Sequence, residues 1–418
     1  MKVAVLGSGV VGVSTAWFLA RAGHEVVVLD RACGPARETS FANGGQISVS
    51  QSEPWANPSA PWQIIKWLLR DDAPLLFRMR LDPAQWRWCW QFLLECRGSR
   101  AEHNMRQMLA LGRYSRDTLQ LLRAELGLDY QQQTRGIVSL FHSQRELDSA
   151  AHVASQMQAL GMDKHIISRE ELARIEPALA GIAPTLAGAS YCPSDESGDV
   201  HLYSCAMAEH AARAGVEFRF NTRINALETA GGRISGVSVN LPAGNYSQVT
   251  ADAYVLAVGS YSPLLAAPIG IRLPIYPWKG YSATLPLRDP ASAPTTSITD
   301  EAYKVVISRL GSRLRIAGTA ELAGYSSSLN AVRCQALLKR GQALMPDVAD
   351  WEAAEFWSGL RPATPGNVPL IGRSRYANLY LNTGHGTLGW TEGAGSGRAL
   401  AEIISGRTPP IDFAFQGI

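Results

Sequence analysis

The chain has 418 residues, with 39 lysines and arginines against 36 aspartates and glutamates, so it is long enough for two or three domains and carries a net charge of only +3. The charged residues form no long basic block, and nucleic-acid binding therefore gains no support from charge. The six cysteines are widely spaced without a Cys-x-x-Cys pair, which argues against a zinc cage or a disulfide framework, predicts no metal site and favours a reducing compartment.

The first thirty residues show two different hydrophobic periods. Val3–Leu6 is a short β-rich run, a glycine turn covers 7–12, and 14–21 carries apolar residues at helical spacing. Residues 25–30 form a second, almost wholly apolar run, which is typical of a parallel strand buried on both faces. The pattern predicts a strand, helix and strand unit at the amino terminus.

The turn in this unit has the spacing of a dinucleotide-binding fingerprint. Gly7 suits the tight turn, Gly9 leaves room for a pyrophosphate at the helix N-terminus, and Gly12 lets helix and strand pack closely. Asp30 lies 21 positions after Gly9 and is placed to accept hydrogen bonds from a ribose. The alternatives are a glycine turn that binds nothing and, since NAD and FAD use the same turn, either dinucleotide.

Further nucleotide-fold segments recur later in the chain. The pattern predicts a helix at 201–214, strands at 216–220 and 253–259, and a final strand at 378–382, followed by a glycine-rich loop to Gly397 and a short helix over 398–405. Between these segments lie a helical, tryptophan-rich stretch at 55–128, a helix start at Ser168 and a hairpin with its turn at Gly311.

We therefore predict an α/β protein with one discontinuous nucleotide-binding domain and an inserted α+β domain. The first domain takes residues 1–52, 195–265 and 350–418, and the second takes residues 53–194 and 266–349.

Two apolar stretches that could direct the chain to a membrane are interpreted otherwise, the first as a strand and the second as a buried strand followed by a loop. Residues 2–6 run straight into glycines, and the uncharged stretch 253–271 is interrupted by Gly259 and Pro268. We expect a cytoplasmic protein.

Several motifs resemble one family in order along the whole chain. They are the glycine turn 7–12 and the segments 38–48, 276–282, 359–365 and 381–390. Together they closely resemble the bacterial D-amino acid dehydrogenases, flavoproteins of the wider D-amino acid oxidase and glycine oxidase family. The resemblance implies a glutathione-reductase-like FAD-binding Rossmann domain, discontinuous and with an inserted substrate domain, and it implies FAD rather than NAD at the glycine turn.

The resemblance also implies which residues form the site. In oxidases of this family an arginine in a Gly-Leu-Arg-Pro segment holds the substrate carboxylate, and Arg361 has that position here. Tyr281 and Tyr303 are further pocket candidates, and His385 lies in the loop expected beside the flavin. The expected cofactor-binding residues are Gly7, Ser8, Gly9, Val10, Val11, Gly12, Asp30, Arg31, Ser40, Asn43, Gly44, Gly45, Gln46, Ile47, Gly259, Gly384, His385, Gly386, Thr387 and Leu388.

Read without the resemblance, several of these residues have a structural alternative. Arg361 could form a structural ion pair, the tyrosines could be ordinary core residues, and His385 could simply fill a tight loop.

The implied reaction is oxidative deamination of a D-amino acid. Hydride passes from Cα to flavin N5, and the resulting imino acid hydrolyses to a 2-oxo acid and ammonia, or remains a cyclic imine for a D-proline-type substrate. Segments 48–55, 364–367 and 390–395 depart from the relatives, which puts a small substrate such as D-alanine in doubt.

The implied electron acceptor is a quinone or another respiratory-chain component. Six of the eleven tryptophans lie within residues 55–90, interspersed with Arg70, Arg78, Arg80 and Arg87, and they would either lie at a lipid headgroup interface on the cytoplasmic face of the inner membrane or pack a helical cap. The alternative functions are an oxygen-using oxidase of glycine or N-methyl amino acids, an NAD-dependent dehydrogenase and a catalytically silent flavin-binding subunit.

Overall fold

A computed structural model describes residues 1–67, 75–78, 80–241, 244–416 and 418. The helices in this part of the chain are α1 Val10–Arg21, α2 Ala60–Trp67, α3 Pro83–Glu95, α4 Gly98–Leu126, α5 Gln144–Ala159, α6 Arg169–Ile175, α7 Val200–Arg213, α8 Ser262–Ala266, α9 Ala331–Leu344 and α10 Gly389–Ile404.

The strands in the same part are β1 Lys2–Leu6, β2 Glu25–Leu29, β3 Gln46–Ile47, β4 Leu75–Phe77, β5 Ile137–Phe141, β6 His165–Ile167, β7 Gly188–Cys192, β8 Glu196–Ser197, β9 Glu217–Arg219, β10 Arg223–Ala230, β11 Arg233–Asn240, β12 Tyr246–Val249, β13 Ala253–Leu256, β14 Tyr276–Pro286, β15 Ser297–Asp300, β16 Val305–Leu310, β17 Arg313–Leu322, β18 Glu355–Ala363, β19 Leu370–Arg373 and β20 Leu379–Thr383.

The first large sheet has the strand order β19-β20-β13-β1-β2-β9, and its neighbours pair in parallel except for β19 with β20. Alternate residues of β1 enter two different cores. Val3 and Val5 pack with α1, α7 and α10, whereas Ala4 and Leu6 pack with the small antiparallel sheet β10-β11-β12. Burial on both faces explains why the strands are continuously apolar.

The second large sheet has the order β18-β14-β17-β16-β15-β5-β7-β6, with β4 added beside β17. One face of this sheet carries Tyr281 and Ile316, which pack in a core with α9. The opposite face contacts the loop that precedes β3, where the hydroxyl of Ser308 donates a hydrogen bond to the carbonyl of Gly44 at 2.7 Å. The second sheet thus presents one face to the region in front of the first sheet.

The amino-terminal strand, helix and strand unit and the hairpin at Gly311 are confirmed by β1-α1-β2 and by β16-β17. The first sheet draws its strands from three separated segments of the chain, as expected for a discontinuous domain. The exact domain boundaries given above stay a prediction.

The carboxy-terminal prediction is wrong in part. Residues 384–388 form the expected loop, but residues 389–397, which the prediction also places in that loop, belong to α10, which begins at Gly389. The glycines of α10 allow this helix to pack closely against its neighbours. A Cβ on Gly395 would lie 2.6 Å from Cα of Ser115 in α4, and one on Gly397 would lie 2.7 Å from the backbone nitrogen of Thr15 in α1. Glycine allows α10 to approach both helices at a distance that any side chain would prevent.

Of the helices in the described residues, none combines the length and the apolar character that crossing a membrane requires.

Candidate functional site

The glycine turn between β1 and α1 forms one end of an elongated cavity of about 390 Å³. Gly7 has φ +105°, and a Cβ there would lie 2.6 Å from the carbonyl oxygen of Ala257. Gly9 differs, because its φ of −67° suits any residue and a Cβ would meet only the Ser40 hydroxyl at 3.4 Å. Gly7 therefore permits the turn, whereas Gly9 leaves space in front of the N-terminus of α1. The N-cap residue Gly9 has no side chain to cap the helix, and the Ser40 hydroxyl accepts a hydrogen bond from the backbone nitrogen of Val10 at 3.2 Å.

Asp30 and Arg31 stand at the end of β2 in the same cavity wall. The carboxylate of Asp30 accepts hydrogen bonds from the backbone nitrogen and the hydroxyl of Ser8, both at 2.7 Å, and so ties the glycine turn to β2. The guanidinium of Arg31 lies 4.1 Å from the ring centroid of Tyr261 and pairs with Glu38. A planar cation on an aromatic ring is a surface on which a flat heterocycle can stack.

The other end of the cavity lies between β18 and the loop 384–388. The two are joined by a bridge between Ala363 and His385 and by a hydrogen bond from the backbone nitrogen of Gly386 to the carbonyl of Pro362 at 2.9 Å. Helix α10 begins directly after this loop, without a side-chain cap, and Gly389 and Trp390 line the cavity. Two helix N-termini thus face one cavity, which favours negative charge at two places.

His385 is buried in this loop, and burial lowers its pKa to about 3. The imidazole is therefore neutral across the physiological range. Within the described residues Nε2 has no hydrogen-bond partner. His385 can offer a dipole or one N–H group at the cavity end but no positive charge.

Arg361 lies on β18 opposite Trp278 of β14, and its side chain extends over Gly280, where a Cβ would lie 2.3 Å from Cζ of the guanidinium. Nη1 donates a hydrogen bond to the carbonyl of Thr319 at 2.9 Å. Arg361 is also one of the residues that line the cavity.

The electrostatics of Arg361 are unusual for a buried cation. No Asp or Glu of the described residues forms an ion pair with it, and removal from water, with a smaller contribution from Arg333, lowers its pKa to about 10. A guanidinium held away from water beside a second cation gains most from an anion that enters the cavity.

The cavity brings together many of the residues singled out from the sequence. They are Gly7, Ser8, Gly9, Val10, Val11, Asp30, Arg31, Ser40, Asn43, Gly259, Arg361, His385, Gly386 and Thr387. Others lie behind the wall in the same turns and loops rather than in it: Gly12, Gly44, Gly45, Gln46, Ile47, Gly384 and Leu388. Their assignment to cofactor binding stays a prediction.

The two tyrosine candidates do not line the cavity. Tyr281 is on the opposite face of the second sheet, in the core with α9, where its hydroxyl donates to the Glu321 carboxylate and where burial and Glu321 raise its pKa. Tyr303 is 49% exposed and packs beneath the guanidinium of Arg340. Alternation along β14 places the neighbouring Gly280 on the face over which Arg361 extends and Tyr281 itself on the other.

Some residues of the site could not be found from local sequence. Tyr261 and the segment 223–225 reach the cavity only through the tertiary fold. Glu392, in the first turn of α10, is fully buried, neither carboxyl oxygen has a hydrogen-bond partner among the described residues, and burial raises its pKa well above the ordinary value. Burial therefore favours the neutral form of the acid in the first turn of α10.

Comparison with known proteins agrees with this architecture. The family model described as FAD dependent oxidoreductase matches residues 2–403. A curated protein of Dechloromonas aromatica (strain RCB), named D-amino acid dehydrogenase, is 53% identical over 415 residues, which is 99% of each chain.

Among solved structures, glycine oxidase from Geobacillus kaustophilus superposes with a TM-score of 0.77 at 23% identity, covering 99% of this chain and 98% of that one. L-proline dehydrogenase from P. horikoshii superposes with a TM-score of 0.75 at 18% identity, covering 98% and 95%. At these identities the two structures show the shared fold alone.

Proposed function

The chain belongs to the FAD dependent oxidoreductase family, and from that premise we propose that it catalyses the FAD-dependent oxidative deamination of D-amino acids. The substrate class follows from the curated relative named D-amino acid dehydrogenase, which this chain matches over nearly its whole length. The observation in the molecule that carries the proposal is Arg361, a cation on the cavity wall for which the described residues provide no carboxylate.

The cavity fits FAD. The N-terminus of α1 behind Gly9 suits the pyrophosphate, and Asp30 is placed for a ribose. Arg31 on Tyr261 suits the adenine, and the loop around His385 lies beside the far end of the cavity, where the redox ring would be held. When bound there, FAD supplies a two-electron acceptor for the substrate.

Arg361 orients the substrate. Its planar fork pairs with both oxygens of a carboxylate and stays charged at any working pH even after the lowering of its pKa to about 10. Fixing the carboxylate at one end of the cavity limits the positions that Cα can take beside the cofactor. Positioning of this kind supplies much of the rate acceleration when the cofactor carries the chemistry.

The surroundings of the α10 N-terminus favour a build-up of negative charge. The helix dipole is open to the cavity, Glu392 in its first turn is held neutral by burial, and His385 is neutral as well. The product imino acid leaves the cavity and hydrolyses in water, so no nucleophile of the protein is needed.

The proposal is tested by offering matched D- and L-amino acids to the FAD-loaded protein and identifying the products. We expect a 2-oxo acid and ammonia from D-amino acids only, and a cyclic imine from D-proline. Turnover of the L-enantiomers at an equal rate would contradict the proposal.

For the electron acceptor we infer a quinone or another respiratory-chain component. The fold is compatible with this and with oxygen, since both an oxidase and a dehydrogenase share it. Turnover with a soluble quinone analogue but without stoichiometric hydrogen peroxide would support the inference. Hydrogen peroxide formed in equal amount to product would instead identify an oxidase.

A peripheral membrane contact would bring the protein to that acceptor, and α3 offers a surface for it. Trp86, Trp90, Leu93 and Leu94 are exposed on one side of this helix, beside exposed Arg87. Aromatic and basic side chains together suit a lipid headgroup region. In contrast, Trp88 is buried and packs with Trp278, so part of the tryptophan-rich stretch forms a cap. The side chain of Trp67 and the whole of Arg70 lie outside the described residues.

Co-sedimentation with vesicles of phosphatidylethanolamine and phosphatidylglycerol tests this contact. We expect the double variant Trp90→Gln, Leu94→Gln to lose binding and Tyr246→Gln, which changes an exposed aromatic residue of β12, to keep it. Equal binding of both variants, or no binding by the unmodified protein at low salt, would contradict a membrane surface on α3.

A further inference from the structure

The strand β17 contains an irregularity directly beside Arg361. Lys279 of β14 pairs with Glu321 and Tyr281 pairs with Gly318, so Thr319 and Ala320 together stand opposite the single residue Gly280. Two residues opposite one form a β-bulge, a feature that re-aims backbone groups and side chains and is frequent next to active sites.

The first residue of this bulge is in an unfavourable conformation. Thr319 has φ +57°, a left-handed value that glycine adopts without cost and that is an outlier for a β-branched residue. Bulges of this type ordinarily have glycine at that position. Strain in a β-branched residue persists only where the surroundings hold it in place, and such strain concentrates at functional sites.

The bulge determines where the Thr319 carbonyl points. That carbonyl accepts the hydrogen bond from Nη1 of Arg361 at 2.9 Å, and the guanidinium lies over Gly280, the residue opposite the bulge. The threonine hydroxyl is buried and has no hydrogen-bond partner among the described residues. The hydrogen bond to the backbone carbonyl, and not one to the hydroxyl, is therefore the contact that Thr319 makes with Arg361.

We propose that Thr319 is a positioning residue for Arg361: the buried surroundings of its branched side chain hold the bulge in the left-handed conformation that aims the carbonyl at Nη1, so that the remaining N–H groups of the guanidinium face the substrate carboxylate. This rests on the proposed role of Arg361. Glycine at this position would relieve the strain, but it has no side chain for the surroundings to hold, so the carbonyl could turn away.

Two substitutions of Thr319 and one control substitution elsewhere separate the possible roles. Thr319→Gly removes both the strain and the restriction, Thr319→Val keeps the branched shape without the hydroxyl, and Asn221→Gly serves as a control at an exposed left-handed position outside the cavity wall. The measurements are the dissociation constant of anthranilate, KM and kcat for the best D-amino acid, and Tm. Anthranilate is an amino carboxylate without a Cα–H bond, so it reports carboxylate binding without turnover, through the absorbance of the bound flavin.

We expect Thr319→Gly to weaken anthranilate binding about 5- to 10-fold, which corresponds to a loss of about 1–1.4 kcal/mol, and to raise KM by a similar factor while Tm does not fall. Thr319→Val and the control should bind anthranilate as the unmodified protein does. A purely structural role would lower Tm in Thr319→Gly and leave the dissociation constant unchanged, which would overturn the proposal.

Loss of binding in Thr319→Val as well would also overturn it, since the hydroxyl would then contact the ligand directly. If the unmodified, FAD-loaded protein neither binds anthranilate nor is reduced by D-amino acids, the proposed function fails before Thr319 is tested. The two failures are therefore distinguishable.

Discussion

The two ends of the cavity are built in different ways. The end at Gly7 to Asp30 comes from one continuous stretch of chain, β1-α1-β2, whereas the end at Arg361 is lined by β18, β20, the loop 384–388 and the start of α10. Arg361 itself is held there by contacts with β14 and β17. The first has a helix N-terminus open to the cavity, and the second has cationic and neutral groups whose pKa values burial has shifted. The comparison teaches that cofactor binding can be encoded locally, while substrate recognition depends on the register of distant strands.

The difference between the two ends of the cavity is tested most clearly by removing substrate recognition while cofactor binding is kept. We expect Arg361→Ala to lower kcat/KM by about 10²- to 10³-fold, because truncation of one partner of a buried charge pair typically costs about 2–5 kcal/mol. The flavin content should stay unchanged, since the glycine turn is untouched. Steady-state kinetics and the visible spectrum measure both.

Arg361→Lys serves as the matched control, because it keeps the charge but loses the planar fork, and it should fall between Arg361→Ala and the unmodified protein. Unchanged kinetics in Arg361→Ala would remove its assigned role.

A substitution of Gly9 should instead affect the cofactor end of the cavity alone. Gly9 already has a conformation open to any residue and only the Ser40 hydroxyl near its Cβ position, so Gly9→Val should fold but fill the space in front of α1. We expect the dissociation constant of FAD to rise at least about 10-fold, since about 1.4 kcal/mol corresponds to tenfold. Fluorescence titration of the flavin-free protein gives the value.

For the Gly9→Val variant, the far-ultraviolet circular dichroism spectrum controls for folding. A correctly folded variant that binds FAD as tightly as the unmodified protein would contradict the assignment of the pyrophosphate to this turn.

A smaller effect concerns stability at the Arg361 end. The pKa of Glu392 is raised in the folded protein above its unfolded value, so its burial is tolerated at low pH and costs free energy as pH rises through and above the ordinary glutamate pKa. We expect Glu392→Gln to raise Tm by a few degrees at pH 8 and by less at pH 5. Differential scanning fluorimetry at both pH values tests this sign.

Glu102→Gln on the exposed face of α4 is the control for the Glu392 substitution and should show no such pH trend. An advantage of Glu392→Gln that shrinks as pH rises would show that Glu392 is charged and paired in the folded protein.

The smallest expected effect is that of a substitution of Tyr303, which tests whether this residue belongs to the site. Tyr303 is half-exposed and is not part of the cavity wall, so Tyr303→Phe should change kcat/KM by less than about twofold, within the range of surface substitutions. A tenfold loss would place the hydroxyl of Tyr303 in contact with substrate and would require the loop 301–304 to close over the cavity.

The sequence predicts the local end of the cavity well, because each glycine of the turn and Asp30 has a role set by its immediate neighbours. Arg361 is found through a motif of its family rather than by any local pattern. Tyr281 shows a first limit of prediction from the sequence, because it lies on the face of β14 opposite to the one over which Arg361 extends. Alternation predicts that neighbouring residues lie on opposite faces, but it does not predict which face contacts Arg361 until the partner strands are known.

The start of α10 shows a second limit. A run of glycines ordinarily predicts a loop, yet residues 389–397 are helical, and their glycines allow α10 to pack closely against α1 and α4. Thr319 shows a third limit, because no sequence pattern predicts that a threonine has a positive φ.

The most direct test is anaerobic. The visible spectra of the purified protein and of Arg361→Ala are recorded during titration with D-amino acids and with their L-enantiomers. We expect both proteins to be yellow, the unmodified protein to be bleached by D-amino acids alone, and Arg361→Ala to resist bleaching at the same concentrations. Bleaching of Arg361→Ala with unchanged concentration dependence, or a colourless unmodified protein that FAD does not restore, would contradict the central claim.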